Sequence, residues 1–333
     1  SQASTKLQIN LPETGKYYRF QGACEASLSG YYITGHTNAD GGRIALTNAA
    51  DASTIYYFDG TNLIAYQSGL VIGLNSSNWT FASVDNNSKP ASVITFTGSP
   101  RKAGAYSIKS ADRYFHYTVY NNTVQVNRCS EDTDAEHAWY ITEVTELPVT
   151  ITDAGYASFY APVEVTLAPG VTAHTVTENG EWATLSEAIN VVPAENGVIL
   201  AGEPGTYDLT VTNKGAENLT NALSGTVAKT LVTKETTGAY YVRGVKDEVG
   251  GLYNPVKGGD ATKFYNAGHK AYWYIPAASQ TAGFRFGGNT TAIESVLNGV
   301  DANAPIYDLS GRRVNNAVKG GIYIQNGKKF IVK

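Results

Sequence analysis

Apolar positions along this chain fall in short strand-like runs separated by polar, glycine-led turns, and helical periodicity is nearly absent. One pattern recurs three times before residue 145. A Gly- or polar-led turn opens into an aromatic or aliphatic strand, and a polar loop, a second strand and an aromatic closing strand follow. Copy one runs Gly30-Tyr31-Tyr32-Ile33, Arg43-Ile44-Ala45-Leu46 and Thr54-Ile55-Tyr56-Tyr57-Phe58. Copy two runs Gly69-Leu70-Val71-Ile72, Trp79-Thr80-Phe81 and Val93-Ile94-Thr95-Phe96. Copy three runs Arg113-Tyr114-Phe115-His116, Thr123-Val124-Gln125-Val126 and Ala138-Trp139-Tyr140-Ile141. Starts near Tyr32, Val71 and Tyr114 space the copies by roughly 40 residues, a period in the range of repeat architectures.

Four short strands per copy, closed threefold, bury the apolar face of each copy against the other two. That predicts a β-trefoil over 15–146, preceded by an N-terminal segment 1–14. Thr145-Glu146-Leu147-Pro148 reads as a junction, since proline cannot continue a ladder. From 147 to 288, strands such as Ser158-Phe159-Tyr160, Val198-Ile199-Leu200, Tyr207 to Val211, Ala239 to Arg243 and Ala271 to Ile275 are punctuated by turns, predicting an antiparallel β-sandwich. Only Glu181 to Asn190 hints at a helix, with Pro193 beyond it. Residues 289–333 form a short β tail, in which Ile322-Tyr323-Ile324 and Phe330-Ile331-Val332 flank an Asn326-Gly327 hairpin turn. The expected fold class is all-β: trefoil, sandwich and hairpin-rich tail.

Composition sharpens this picture. Charged residues are only 16% of the chain, with 23 Tyr, 10 Phe and 4 Trp, as suits pleated β surfaces. The net charge of −4 and the lack of a basic stripe argue against a nucleic-acid partner. No apolar run reaches the roughly 18 residues of a membrane span. With no Met anywhere, the chain reads as a processed mature form. Cys24 and Cys129 both fall in the repeat region; in a closed trefoil its first and last strands are neighbours, so the pair is expected either to bridge or to remain as two inert thiols.

Catalytic signatures are missing: no Gly-x-Ser-x-Gly elbow, His-Glu-x-x-His, phosphate-cradling glycine loop or Cys-x-x-Cys is present. None of His36, His116, His137, His174 and His269 is spaced with another as metal ligands on one element would be. The carboxylates cluster on turns, such as Asp40-Gly41 and Asp59-Gly60. The expectation is therefore a protein without catalysis, cofactor or metal.

Residues 15–145 resemble the ricin-type β-trefoil lectins. The third copy carries the likeness, with Thr133-Asp134-Ala135-Glu136-His137-Ala138-Trp139 similar to that family's closing segment and His137-Ala138-Trp139 standing in place of Gln-x-Trp. The family's sugar-clamping Asp aligns with Thr34, Gly73 and His116, so no copy keeps the carboxylate. The middle region, with Gly155-Tyr156-Ala157-Ser158-Phe159-Tyr160 near its start and Ala271-Tyr272-Trp273-Tyr274-Ile275 near its end, resembles a β-module of secreted Bacteroidetes proteins. The tail, Ile306-Tyr307-Asp308-Leu309-Ser310-Gly311-Arg312-Arg313, resembles C-terminal sorting domains of type IX secretion substrates. Together these resemblances imply an exported protein of the bacterial envelope, handed to secretion machinery through residues 305–333.

Binding of a polar ligand calls for an aromatic platform flanked by planar hydrogen-bonding groups. Copy two offers Asn75, Asn78 and Trp79; copy three offers His116, Tyr117, Tyr120 and Asn121; copy one offers Thr34, His36, Asn38 and Asp40. The competing readings are a core Trp79 with turn asparagines for the first set, a surface aromatic strand for the second, and a polar loop closed by Asp40-Gly41-Gly42 for the third. The function expected is a lectin-like module for glycan, with a structural or protein-interaction (adhesin-like) module, or the accessory region of a larger secreted hydrolase, as the alternatives.

Overall fold

The computed structural model describes residues 11–24, 28–38, 42–74, 79–82, 89–129, 135–233, 238–255, 263–276, 282–287, 305–315, 317–325 and 328–331. These are strands and turns, with two single-turn 3₁₀ segments, Ala52–Thr54 and Ala135–His137, and no α-helix among the described residues.

The repeats form thirteen strands: β1 (Lys16–Gly22), β2 (Tyr32–Thr37), β3 (Ile44–Thr47), β4 (Tyr56–Phe58), β5 (Leu63–Ala65), β6 (Val71–Leu74), β7 (Trp79–Ala82), β8 (Lys89–Pro90), β9 (Ile94–Gly98), β10 (Tyr106–Ser110), β11 (Arg113–Tyr120), β12 (Thr123–Cys129) and β13 (Trp139–Val144). β1 pairs with β4 and β13, β4 with β5, β9 with β10, and β10 with β13. The amide of Ile94 donates to the carbonyl of Thr61 at 2.8 Å, joining β9 to the approach to β5. Six strands thus close a ring, and the hairpins β2–β3, β6–β7 and β11–β12 cap it. This is a trefoil-like barrel, and it removes the exposed edges that open sheets leave.

The threefold kinship extends to the core. Phe20, Leu63 and Ile108 come from the first barrel strand of each copy, and Ile33, Ile72 and Phe115 from the first hairpin strand; all six are fully buried. Tyr56, Ile94 and Trp139 close the copies in one apolar cluster. Cys24 belongs to that cluster and behaves as a small buried hydrophobe, while Cys129 pairs with Tyr114 at the far end of β12. Neither is in a disulfide, so of the two alternatives open for the pair the unbridged one holds.

The middle region is layered more deeply than a two-sheet sandwich. A four-stranded sheet (Glu146–Ile151, Gly205–Thr212, Glu164–Thr166 and Val191–Val192) faces a three-stranded one (Tyr156–Phe159, Val198–Gly202 and Val171–His174). A seven-stranded sheet, containing Ala239–Lys246, Val249–Tyr253 and Lys270–Ile275, covers the other face. Within the central strand, Val198 and Leu200 point into one core, and Ile199 and Ala201 into the other. A strand buried on both faces reads as a continuous apolar run, which Val198-Ile199-Leu200-Ala201 is. Glu164 opens an inner strand of the four-stranded sheet, its carboxylate accepting from Thr212 Oγ1 (2.9 Å) and from the amides of Lys214 (2.5 Å) and Ala216 (2.7 Å).

The helix hinted at over 181–190 is a strand instead. Val176–Asn179 and Trp182–Leu185 form a hairpin in which Asn179 opposes Trp182 across Gly180 at φ +62°. The Asn179-Gly180 dipeptide is a hairpin-turn signal that outweighs the helical tendency of the acidic stretch after it. In the tail, Ile306–Asp308, Arg313–Val314, Ile322–Gln325 and Lys328–Ile331 make a four-stranded sheet, with Gln325 opposite Lys328 as the hairpin reading expects.

Barrel and sandwich share side chains. Tyr17, Ile55, Tyr66 and Val144 of the barrel enter the same core as Leu147, Phe159, Val198 and Leu209. A second seam is made of backbone: Lys229 N donates to Gly69 O at 2.8 Å. A Cβ on Gly268 would lie 2.4 Å from Gly69 Cα and 2.7 Å from Val227 O, so no side chain fits there. Gly268→Ala is expected to lower stability by about 1–3 kcal/mol through overpacking. Urea unfolding measures it, and a loss under about 0.5 kcal/mol would show that the seam yields.

Candidate functional site: a cleft between barrel and sandwich

The residues singled out from sequence separate into several groups. Trp79 is fully buried against Phe115, with ring centroids 4.4 Å apart, so it is core and not a platform for ligand. Tyr117 is buried as well, its hydroxyl donating to Leu28 O and its ring filling the space beside Gly22. Thr34 is fully buried and donates to Ala45 O at 2.7 Å, so its hydroxyl is engaged inside the hairpin.

Asn38 closes its own hairpin, its backbone N donating to Arg43 O at 2.8 Å and its side-chain Oδ1 accepting from Arg43 N at 3.3 Å, and its amide donates to Gln125 Oε1 at 2.5 Å. Asn121 and Asn122 carry φ of +48° and +58° in the two-residue turn between β11 and β12, where Tyr120 opposes Thr123. Asparagine tolerates that conformation, which is reason enough for its presence. His116 is half-buried, 2.9 Å from Thr118 Oγ1 and 4.8 Å ring to ring from buried His137. His36 is exposed on β2. Asn75, Asn78 and Asp40 lie outside the described residues. The structure does not gather these groups into one site.

What it does gather is a cleft of about 780 Å³ where the barrel meets the sandwich and the seven-stranded sheet. Arg19, Asp51, Tyr66 and Gln67 come from the barrel side, Glu146, Thr150, Thr206 and Asp208 from the sandwich, and His269 and Lys270 from the third sheet. Arg19 is fixed by its neighbours, Nε donating to Thr54 Oγ1 at 2.8 Å and Nη2 to Asp51 O at 3.1 Å. Asp51 caps the 3₁₀ turn, its carboxylate accepting from Ser53 N at 2.9 Å. Gln67, Glu146, Thr150, Thr206 and Asp208 are exposed and ready to meet a solute.

The floor is aromatic and closed. Tyr66 donates to Pro148 O at 2.8 Å, and its ring stands edge-on to His269 at 4.6 Å. A 2.6 Å hydrogen bond joins Tyr17 Oη to His269 Nε2. Burial, aided by the nearby Lys270 charge, drives the His269 imidazole down to about 3, so it is neutral at physiological pH. Burial also pushes the Tyr17 and Tyr66 phenols well above their ordinary range. This floor is a rigid neutral wall, while the rim supplies carboxylates, hydroxyls, an amide and a guanidinium. Such an arrangement suits a polar, multiply hydroxylated ligand.

Sequence reading missed this cleft because its residues are spread from Arg19 to Lys270 with no local motif. The junction at Thr145 to Pro148 was its one visible trace, since it marks where two modules must face each other.

No protein-family model matches the chain, and no curated protein matches it. A solved structure of a mosquitocidal holotoxin aligns with 80% of this chain and 35% of its own, at 9% identity and a TM-score of 0.31. The chain therefore spans about a third of that protein's length, and a likeness this distant carries no argument. Among the described residues no helix is long and apolar enough to cross a membrane.

Proposed function

We propose that this chain is an exported, non-catalytic binding protein of the bacterial envelope, lectin-like in its barrel, whose ligand is a glycan. The observation that carries the reading is the wide polar cleft beside a trefoil-like barrel, with exposed Gln67, Thr150, Thr206 and Asp208 around an aromatic floor. The cleft takes the place of the lectin-type hairpin positions, where Thr34 is buried and Gly73 is packed against Lys89 O and Ala82 N. Export rests on the likeness of the tail to sorting domains, whose strands and Asp308-centred turn are formed here.

A glycan array on the intact chain tests the reading. Binding to at least one polysaccharide is expected, weakened about tenfold by Asp208→Asn or Gln67→Ala, each of which removes one side-chain partner of the ligand. His36→Ala at the exposed hairpin position is expected to leave it unchanged. An intact chain that binds no glycan, or loses binding only through His36, overturns the proposal.

A second reading, a protein-interaction (adhesin-like) module, is favoured by the tail sheet. It leaves Leu309, Val318 and Ile331 more than half exposed, and among the described tail residues it buries only Tyr323 closely. A protein partner captured by the parent chain and lost with Leu309→Ser would support that reading.

A further inference from the structure

A second groove, of about 420 Å³, opens beside the cleft, between the strands Tyr156–Phe159 and Ala239–Lys246. Among the described residues two cations line it, Arg243 and Lys270, and no carboxylate does. Arg243 Nη1 donates to Thr152 Oγ1 at 3.3 Å, and Lys270 Nζ to the Ser158 carbonyl at 3.4 Å. Both bonds are long and both acceptors are neutral. Among the described residues neither cation is in an ion pair.

This is an unusual arrangement to keep. Lys270 keeps an exposed face and Arg243 is half-buried, so the cost of the arrangement is the repulsion of two like charges side by side. The strain registers on both groups: crowding in the groove and the Arg243 charge hold the Lys270 ammonium below its ordinary value, and desolvation lowers the Arg243 guanidinium. The positions are fixed, since Arg243 lies mid-strand opposite Leu252 and Lys270 opens the strand paired to Thr226. The side-chain amide of Asn266 ties the turn before Lys270 by donating to Thr226 Oγ1 (2.8 Å) and Lys270 O (2.9 Å). A preorganised pair of donors with two positive charges and no anion matches an oxyanion, which a guanidinium can hold through two parallel bonds. Tyr265, 43% exposed at the groove wall, carries the Lys229 ammonium over its ring at 5.1 Å, which brings a third cation to that wall.

We propose that the Arg243–Lys270 groove is an anion site that takes the carboxylate of an acidic sugar, extending the neighbouring cleft through the shared Lys270. The identity of the ligand rests on the glycan reading, whereas the oxyanion chemistry stands on the groove alone.

The test titrates the intact chain with trigalacturonate, with its neutral methyl ester and with inorganic phosphate, by calorimetry and thermal shift. Trigalacturonate is expected to bind at least about tenfold tighter than the ester. Arg243→Gln and Lys270→Gln are each expected to remove that preference, and to leave the unliganded chain at least as stable as the parent, because an uncompensated charge has gone. Equal binding of acid and ester, or a preference that survives both substitutions, overturns the anion site and leaves the glycan reading standing. If neither saccharide binds but phosphate stabilises the parent and neither variant, the anion site holds and the glycan reading falls. Variants that melt earlier than the parent and show no ligand-dependent difference from it would mark the pair as structural and overturn the proposal.

Discussion

Trp139→Ala is expected to destabilise the chain by about 3–5 kcal/mol, the range for truncating a fully buried large aromatic side chain. Trp139 is fully buried and stands where the barrel closes, with its backbone opposite Gly22 of the first strand and Tyr106 of another. Its ring lies 5.8 Å from that of Tyr117, and its indole Nε1 donates to Phe115 O at 3.1 Å. Truncation would leave a cavity at the meeting point of the copies and strip a buried carbonyl of its donor. Urea unfolding followed by near-ultraviolet circular dichroism measures the loss, and a change under about 1 kcal/mol would refute the role of Trp139 as the lock.

A milder pair of substitutions divides the two contributions. Trp139→Phe keeps most of the apolar bulk and loses the hydrogen bond, so a cost of about 1–2 kcal/mol is expected. Trp79 is equally buried, but among the described residues its Nε1 has no hydrogen-bond partner. Trp79→Phe therefore forfeits no bond and is expected to cost less than Trp139→Phe.

The second large effect is a loss of stability in acid, centred on His269. Its imidazole is neutral in the folded chain down to about pH 3, against an ordinary value near 6.5. Below 6.5 the unfolded chain takes up a proton that the folded chain refuses, so stability is full above that pH and falls as pH drops toward 3. Across 3.5 pH units the loss reaches roughly 5 kcal/mol. Tyr17, Tyr66 and Lys270 surround the ring, and none carries a negative charge to rescue the imidazolium. His174, buried and hydrogen-bonded to Ser186 O and Thr172 Oγ1, is lowered too and adds in the same direction.

Glu164 also contributes, but in a separate window. Its carboxylate is held below the ordinary 4.5 by backbone amides, so its share disappears only at more acid pH. Stability measured from pH 7.5 to 3.5 in the parent and in His269→Asn should diverge between pH 6.5 and 4, the variant being flatter. A His269 resonance that titrates near 6.5 in the folded protein would refute the assignment.

The repeat was legible because each copy places apolar side chains at matching strand positions, so that Ile33, Ile72 and Phe115 announce one layer. Burial was less legible. Trp79 and Tyr117 have the chemistry of a ligand platform, yet which face of a hairpin turns inward depends on closure of the ring, a property of residues far away in the chain. The third layer of the middle region was half visible, since Val198-Ile199-Leu200-Ala201 lacks the alternation of a strand with one wet face. Arg243 and Lys270 carry no sequence signal as a pair, because ordinary surface cations look the same until the packing sets them side by side with no carboxylate against them among the described residues.

The sharing of Tyr17 bears on how the chain can be divided. Its strand belongs to the barrel, while its ring and hydroxyl belong to the core beyond the junction, together with Ile55, Tyr66 and Val144. A fragment ending at residue 145 would bare all four as an apolar wound and strand His269 on the other piece without its phenol. The two modules are therefore neighbours that cannot be parted cleanly, and any ancestor that joined them had to remodel both surfaces at once.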